Sequence, residues 1–177
     1  MGERSRTLRI ENPVDWFAVI IATGLGLGFI PVGPGTFGSL LGVAICYGLI
    51  SAFKFTPVVL QQAILLGSVL LALLGIWASA QSERIFDRKD AGQIVIDEVC
   101  GQLISYAFLA PALGMIGGDW RWALFIGFIL FRFFDIVKPY PIRRLEGLGS
   151  GLGVMADDIL AGVYAAVVLS WILYLFF

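Results

Sequence analysis

The sequence contains no histidine and only two cysteines among its 177 residues. The absence of histidine excludes histidine-based phosphatases, Ser-His-Asp hydrolases and the usual zinc sites. The two cysteines, Cys46 and Cys100, both lie in apolar segments. They are too few for a disulfide framework or a cysteine-rich metal site. Chemistry is therefore left to acidic, basic and hydroxyl side chains.

Charge is scarce as well. Only 14% of the residues are charged and 59% are hydrophobic, with a mean hydropathy of +0.90, whereas about a quarter of an ordinary soluble domain is charged. This composition predicts an integral membrane protein. We expect a single domain, residues 1–177, in which 1–13 form a cytoplasmic tail. The net charge of −1 argues against a nucleic-acid partner, which would require a basic patch.

The few charged residues divide the chain into apolar runs. Residues 16–53 carry no charge but are interrupted by PVGPG at 31–35, and further charge-free runs cover 55–82, 99–118 and 159–177. The run at 122–131 is too short to span a bilayer, because a spanning helix needs roughly 20 residues. Its helix must therefore extend through Arg132 and Asp135.

The lysines and arginines predict how these runs are oriented. If residues 16–30 crossed the membrane from an inside N-terminus, the basic regions around Arg84 and Arg143 would lie outside, against the positive-inside rule. If that segment does not cross, only Lys54 and Arg121 lie outside. The inside then carries nine basic residues: Arg4, Arg6, Arg9, Arg84, Arg88, Lys89, Lys138, Arg143 and Arg144. We therefore predict an all-α integral membrane protein with about five transmembrane helices, preceded by an interfacial or re-entrant half-helix.

This topology brings five carboxylates to the cytoplasmic face, although only basic residues were used to choose it. These are Asp97, Glu98, Asp135, Asp157 and Asp158. Oxygen ligands of this kind suit Mg²⁺, which usually binds one or two carboxylates together with waters and a substrate phosphate. The two adjacent pairs are expected in the first turns of helices, where the helix dipole favours negative charge. The alternative is that each pair merely caps a helix at the interface.

Basic and hydroxyl side chains near these acids are candidates for binding phosphate. They are Arg132, Lys138, Arg143 and Arg144, together with Thr36 and Ser39 at the bend in the first apolar run. Alternatives remain open, because Arg143 and Arg144 also suit lipid headgroups, and Arg132 and Asp135 are spaced for a structural ion pair. The bend itself is also explained as a simple helix break. Metal-assisted hydrolysis fits these residues best, with an aspartate nucleophile as the alternative to water.

At these residues the chain resembles the bacterial phosphatidylglycerophosphatase A family. The matching blocks are PVGPGTFGSL, KDAGQIVIDEVCGQ, FRFFDIVKPYPIRR and GLGVMADDILAG. The resemblance implies a Mg²⁺-dependent lipid phosphatase of the bacterial inner membrane that converts phosphatidylglycerophosphate to phosphatidylglycerol and phosphate. It implies that the metal ligands or the base are among Asp97, Glu98, Asp135, Asp157 and Asp158. It also implies that Arg132 and Lys138 hold phosphate, with Thr36 and Ser39 lining the site.

A membrane transporter or channel is the alternative function. The broken first segment and the acids near the membrane favour it, because both occur in ion pathways. Against it, the charge-free runs at 55–82 and 99–118 place no acid near the middle of the bilayer. The enzyme hypothesis requires a phospholipid substrate as partner, and the sequence predicts no oligomeric state.

Overall fold

The computed structural model describes residues 10–52, 56–109, 120–145 and 147–176, and within these ranges the chain is helical with no strand. The α-helices are α1 (Pro13–Ala22), α2 (Pro34–Ala52), α3 (Pro57–Phe86), α4 (Ile96–Ser105), α5 (Arg121–Val137), α6 (Ile142–Leu145) and α7 (Ser150–Phe176). A short 3-10 helix, Leu27–Phe29, lies between α1 and α2. The all-α prediction is confirmed for the part of the chain described. Lys54, predicted to lie outside, falls beyond these ranges, as do the arginines of the N-terminal tail.

Three of the described helices are long and apolar enough to cross a membrane, namely α2 over Pro34–Ser51, α3 and α7. Large apolar side chains on α3 such as Leu66, Val69 and Leu73 are more than half exposed. Soluble proteins rarely expose apolar patches of this extent. The exposed leucines and valines are thus suited to contact lipid chains, and the chain is a membrane protein.

One end of the helix bundle, which we call the acidic end, is where α2, α4 and α7 begin and where α3 and α5 finish. Contacts between Gly35 and Glu98, between Phe29 and Phe86, and between Lys138 and Asp157 join these helix ends. The opposite half contains a core in which Tyr106 is fully buried and donates a 2.7 Å hydrogen bond to the Leu124 carbonyl. Charged side chains therefore collect at one end of an otherwise apolar bundle.

Helix α1 lies beside the acidic end. It is capped by Asn12, whose side chain accepts from the Asp15 amide, and Pro13 occupies its first turn. Asp15 shares a cleft with Arg84 near the end of α3, while the Ala22 carbonyl at the other end of α1 accepts a 2.8 Å hydrogen bond from the Val95 amide. Both ends of α1 therefore contact the same end of the bundle.

Glycines set the closest helix contacts. A Cβ on Gly42 of α2 would lie 2.8 Å from Gln102 Cβ on α4, and a Cβ on Gly162 of α7 would collide with the Gly101 carbonyl of α4. Gly38 and Gly42 form a G-x-x-x-G pair, a spacing typical of closely packed membrane helices, and both pack against the start of α4. The similar pair Gly114 and Gly118 lies outside the described residues.

The structure corrects two local expectations. Helix α7 begins at Ser150, so Asp157 and Asp158 lie about two turns inside it and not in its first turn, which contains no acid. The glycine-rich segment from Ser150 onward is part of this helix, and its Gly151 packs directly against the Ile76 carbonyl of α3. Likewise, α2 begins at Pro34, so Thr36 and Ser39 belong to its first turns and not to a bend.

Candidate metal centre

Three carboxylates form a compact cluster at the acidic end. Asp97 and Glu98 lie in the first turn of α4, and Asp158 reaches them from α7. One oxygen from each carboxylate lies within 4.8 Å of the others. Asp97 is 8% exposed and Asp158 is 4% exposed. The cluster is therefore both tight and largely shielded from solvent.

The crossing of α4 and α7 brings the cluster together. A Cβ on Gly101 would lie 2.5 Å from the backbone oxygen of Asp158, and Gly162 faces Gly101 one turn further along α7. Because neither glycine has a side chain, the two backbones touch directly below the carboxylates. This contact places Asp158 beside residues some 60 positions earlier in the chain.

Neither acid pair caps its helix. The N-cap of α4 is Val95, and no side chain makes a capping hydrogen bond there. The second pair lies too far inside α7 to serve as a cap. The helix-cap alternative is therefore wrong for Asp157 and Asp158, and the geometry gives it no support for Asp97 and Glu98.

Several oxygens of these acids are buried without a hydrogen-bond partner. Within the part of the chain that the structure describes, Asp97 Oδ1, Glu98 Oε2 and Asp157 Oδ1 accept no hydrogen bond. Buried polar atoms are nearly always satisfied, and an unpaired buried charge is costly. A hard divalent cation prefers oxygen donors of this type. The residues present therefore fit a Mg²⁺ ion.

The acids line a cavity of about 440 Å³. Its walls comprise all five predicted carboxylates, Asp97, Glu98, Asp135, Asp157 and Asp158, together with Lys89, Asp90, Lys138, Gly153 and Val154. The cavity thus combines a cluster of acids with two lysines. A phosphate group would meet cationic side chains on the same walls that hold the candidate metal ligands.

The five acids do not share one environment. Lys138 Nζ lies 2.7 Å from Asp157 Oδ2, and Arg132 Nη1 lies 2.7 Å from Asp135 Oδ2. Each of these two acids has a basic partner that balances its charge. Asp158, by contrast, belongs to the cluster, because adjacent residues on a helix point about 100° apart. The ion pair between Arg132 and Asp135, the structural alternative for Arg132, is present.

The predicted substrate-binding residues separate into two groups. Lys138 lines the cavity, and Ser39 is buried with its hydroxyl 3.4 Å from Arg132 Nη1. Thr36 is half-buried on α2, and Arg143 is exposed on α6. Thr36, Ser39, Arg132 and Arg143 are not among the described residues that line the cavity. A direct role in binding phosphate remains a prediction for all of them.

Lys89 and Asp90 were missed as site residues. In the sequence, Glu83 and Lys89 follow the charge-free run at 55–82, and this position predicts a solvated extension of its helix. In the structure Glu83 is buried, and its carboxylate accepts a 2.8 Å hydrogen bond from the Asp90 amide. This bond folds the loop after α3 back over the cavity and brings Lys89 to its wall. The sequence predicted a helix extension here and did not indicate this turn towards the cavity.

Comparison with known proteins gives a consistent family. The family model described as Phosphatidylglycerophosphatase A matches residues 20–173. The Phosphatidylglycerophosphatase A proteins of Haemophilus influenzae and Escherichia coli are 36% and 33% identical to the chain. The matches cover 96% and 93% of this chain, and 94% and 86% of the relatives.

A third relative carries a different name. The Bacteroides thetaiotaomicron protein named "Putative phosphatidylinositol-3-phosphatase" is 39% identical over 88% of this chain and 93% of its own length. No solved structure gives a significant match.

Proposed function

This chain belongs to the phosphatidylglycerophosphatase A family, and we propose that it hydrolyses the phosphomonoester of phosphatidylglycerophosphate to phosphatidylglycerol and phosphate, with Mg²⁺ as its cofactor. The observation that carries the proposal is the cluster of Asp97, Glu98 and Asp158, with unpartnered buried oxygens, in a cavity that also presents lysines. Such a cavity suits a phosphate group accompanied by a divalent cation.

Asp97, Glu98 and Asp158 would hold the metal ion. When bound, Mg²⁺ supplies neutralisation of charge on the phosphoryl oxygens and activation of a water molecule. Lys138, fixed by its contact with Asp157, would place a positive charge beside the same oxygens.

Asp135 is the proposed general base. It lines the cavity, and its carboxylate is held by Arg132. It would accept a proton from the attacking water. As water adds to phosphorus, the bond from phosphorus to the headgroup oxygen breaks, and that proton passes to the departing alcohol.

We propose five membrane passes, made by α2, α3, α5, α7 and a segment that begins with α4. The meeting of alternating helix ends at the acidic end supports this arrangement. Helix α1 has 10 residues, or about 15 Å at 1.5 Å per residue, against a hydrocarbon core of about 30 Å. It would therefore lie in the interface without crossing. The acidic end would face the cytoplasm from the bacterial inner membrane.

The relative named for a phosphatidylinositol-3-phosphatase supports a second substrate of the same chemical class. Both lipids present a phosphomonoester on a headgroup at the membrane surface, and the site would act on that shared group. Selection between them depends on the rest of the headgroup. The family model and two relatives carry the name Phosphatidylglycerophosphatase A. We therefore propose phosphatidylglycerophosphate as the first candidate substrate.

The test is phosphate release by purified protein in mixed micelles that contain one lipid at a time. We expect release from phosphatidylglycerophosphate at least tenfold faster than from phosphatidylinositol 3-phosphate. The reverse order would move the assignment to the inositol lipid. Cation flux into vesicles without phosphate release from either lipid would contradict the enzyme assignment and favour a transporter.

A further inference from the structure

The glycines at the start of α2 pack against the side chain of Glu98. A Cβ on Gly38 would lie 3.4 Å from Glu98 Cβ. A Cβ on Gly35 would collide with Glu98 Oε1 and would lie 3.0 Å from Glu98 Cδ. Helix α2 therefore covers Glu98 from its Cβ to its carboxylate. Only a residue without a side chain fits at position 35 while Glu98 keeps this conformation.

Space, not backbone conformation, requires glycine at this position. Gly33 has a positive φ of 62°, but Gly35 is not among the residues with positive φ. An alanine at position 35 would thus meet no backbone strain, and helix propensity alone would favour it over glycine. The obstacle to a side chain is the carboxylate of Glu98.

A hydrogen-bonded chain ties the same turn of α2 to α5. The Ser39 hydroxyl donates to the Gly35 carbonyl at 3.0 Å and lies 3.4 Å from Arg132 Nη1. Arg132 in turn contacts Asp135 Oδ2 at 2.7 Å, and its Nη1 would lie 3.5 Å from a Cβ on Gly35. The turn that contains Gly35 is therefore held in place and cannot easily move away from Glu98.

We propose that Gly35 is a positioning residue for the metal centre, because it leaves the space in which the Glu98 carboxylate is held beside Asp97 and Asp158. This inference rests on the proposed function of these three acids as metal ligands. A side chain at position 35 would push the carboxylate out of the cluster while leaving the helices in place. The substitution would therefore weaken metal binding more than it lowers the stability of the fold.

Gly42 provides the comparison for a purely structural role. A Cβ there would lie 2.8 Å from Gln102 Cβ and 3.0 Å from the Val99 carbonyl, so it would press against the body of α4. A Cβ on Gly48, on the same helix, would have no described atom within 4 Å, so this position serves as the neutral control. The alanine at position 35 therefore displaces a carboxylate, the one at position 42 displaces a helix, and the one at position 48 displaces nothing.

The experiment measures Mn²⁺ binding to the purified full-length protein by electron paramagnetic resonance, since Mn²⁺ also takes oxygen ligands. We expect Gly35→Ala to bind Mn²⁺ at least ~10-fold more weakly, the lower range for loss of the residues that orient a metal ligand. Gly42→Ala should lower the midpoint of thermal unfolding with little change in Mn²⁺ affinity. Gly48→Ala should match the wild type in Mn²⁺ affinity and should unfold at the same or a slightly higher temperature, because alanine is favoured over glycine inside a helix.

A second variant tests the contact itself. Glu98→Asp shortens the side chain by one methylene, which withdraws the carboxylate from position 35. Adding Gly35→Ala to Glu98→Asp should therefore weaken Mn²⁺ binding less than adding it to the wild type. Equal losses in the two backgrounds would overturn the inference, as would Gly35→Ala binding Mn²⁺ as tightly as the wild type.

The remaining outcomes are also decisive. If Gly35→Ala fails to fold, recovery of folding in the double variant would support a collision with Glu98, and failure of both would contradict it. Absence of Mn²⁺ binding by the wild-type protein would instead contradict the metal centre. The failure of the proposed function is thus distinguishable from the failure of the positioning role.

Discussion

Replacement of Asp158 by asparagine tests the metal centre most directly. Asparagine keeps the shape of the side chain but removes one of three clustered charges. At an effective dielectric constant of about 20, two ionised carboxylates about 5 Å apart repel each other by roughly 3 kcal/mol. Because all three oxygens lie within 4.8 Å of one another, Asp158 takes part in at least two such repulsions when these acids are ionised in the metal-free protein.

Asp158→Asn should therefore have opposite effects on activity and stability. Loss of a metal ligand should reduce turnover by at least ~100-fold, or about 2.7 kcal/mol of transition-state stabilisation. In chelator the same variant should unfold at a higher temperature than the wild type. Each kcal/mol of relieved repulsion corresponds to about 2–4 °C in a protein of this size.

Asp157→Asn is the matched control, because it makes the same chemical change one residue earlier on α7. Asp157 pairs with Lys138 at 2.7 Å. Its replacement therefore removes an attraction, whereas replacement of Asp158 removes repulsions. We expect the metal-free Asp157→Asn variant to unfold at a lower temperature than the wild type.

The assays are phosphate release in mixed micelles and thermal unfolding of purified protein with and without Mg²⁺. Near wild-type turnover of Asp158→Asn would refute the assignment of this residue as a ligand. A lower unfolding temperature for Asp158→Asn in chelator would refute the electrostatic reasoning.

Chelation, packing, topology and the loop after α3 each give a further prediction. Complete chelation should abolish phosphate release and Mg²⁺ should restore it, whereas activity that survives chelation would favour a direct aspartate nucleophile. Gly162→Ala should lower stability by about 1–3 kcal/mol through overpacking against Gly101, and unchanged thermal unfolding would contradict that contact. Cysteines at Arg88 or Arg144 should resist a membrane-impermeant label in intact cells; labelling from outside would exclude the five-pass topology. Asp87→Asn should be nearly silent in turnover and unfolding, because Asp87 is exposed with a φ of 49°, a conformation that asparagine tolerates well; a large loss would show that the loop after α3 has a further role.

Much of this protein could be predicted from residue types and their spacing. Apolar runs with few charges indicated an all-helical membrane protein, and the asymmetric distribution of arginine and lysine indicated which helix ends share a face. That distribution alone predicted that Asp97, Asp135 and Asp158 would lie at one face of the membrane, and all three line one cavity. These properties follow from the sequence because helix formation and membrane partitioning depend on local composition.

Other features depended on contacts between distant segments. The separation of Asp158 from Asp157 depends on the rotation of α7, which the contact between Gly101 and Gly162 sets. The approach of Lys89 to the cavity depends on a loop whose direction no periodicity indicates.

The local sequence pattern determined which side chains could come into contact, and tertiary packing decided which of these contacts form. The physical reason is that spacing along one helix specifies the relative angles of its side chains, whereas distances between helices depend on how closely their backbones pack. In this chain, glycines from segments far apart in sequence set those distances. The sequence therefore determined the end of the bundle at which the acids collect, and only the folded structure distinguished the clustered carboxylates from those paired with basic residues.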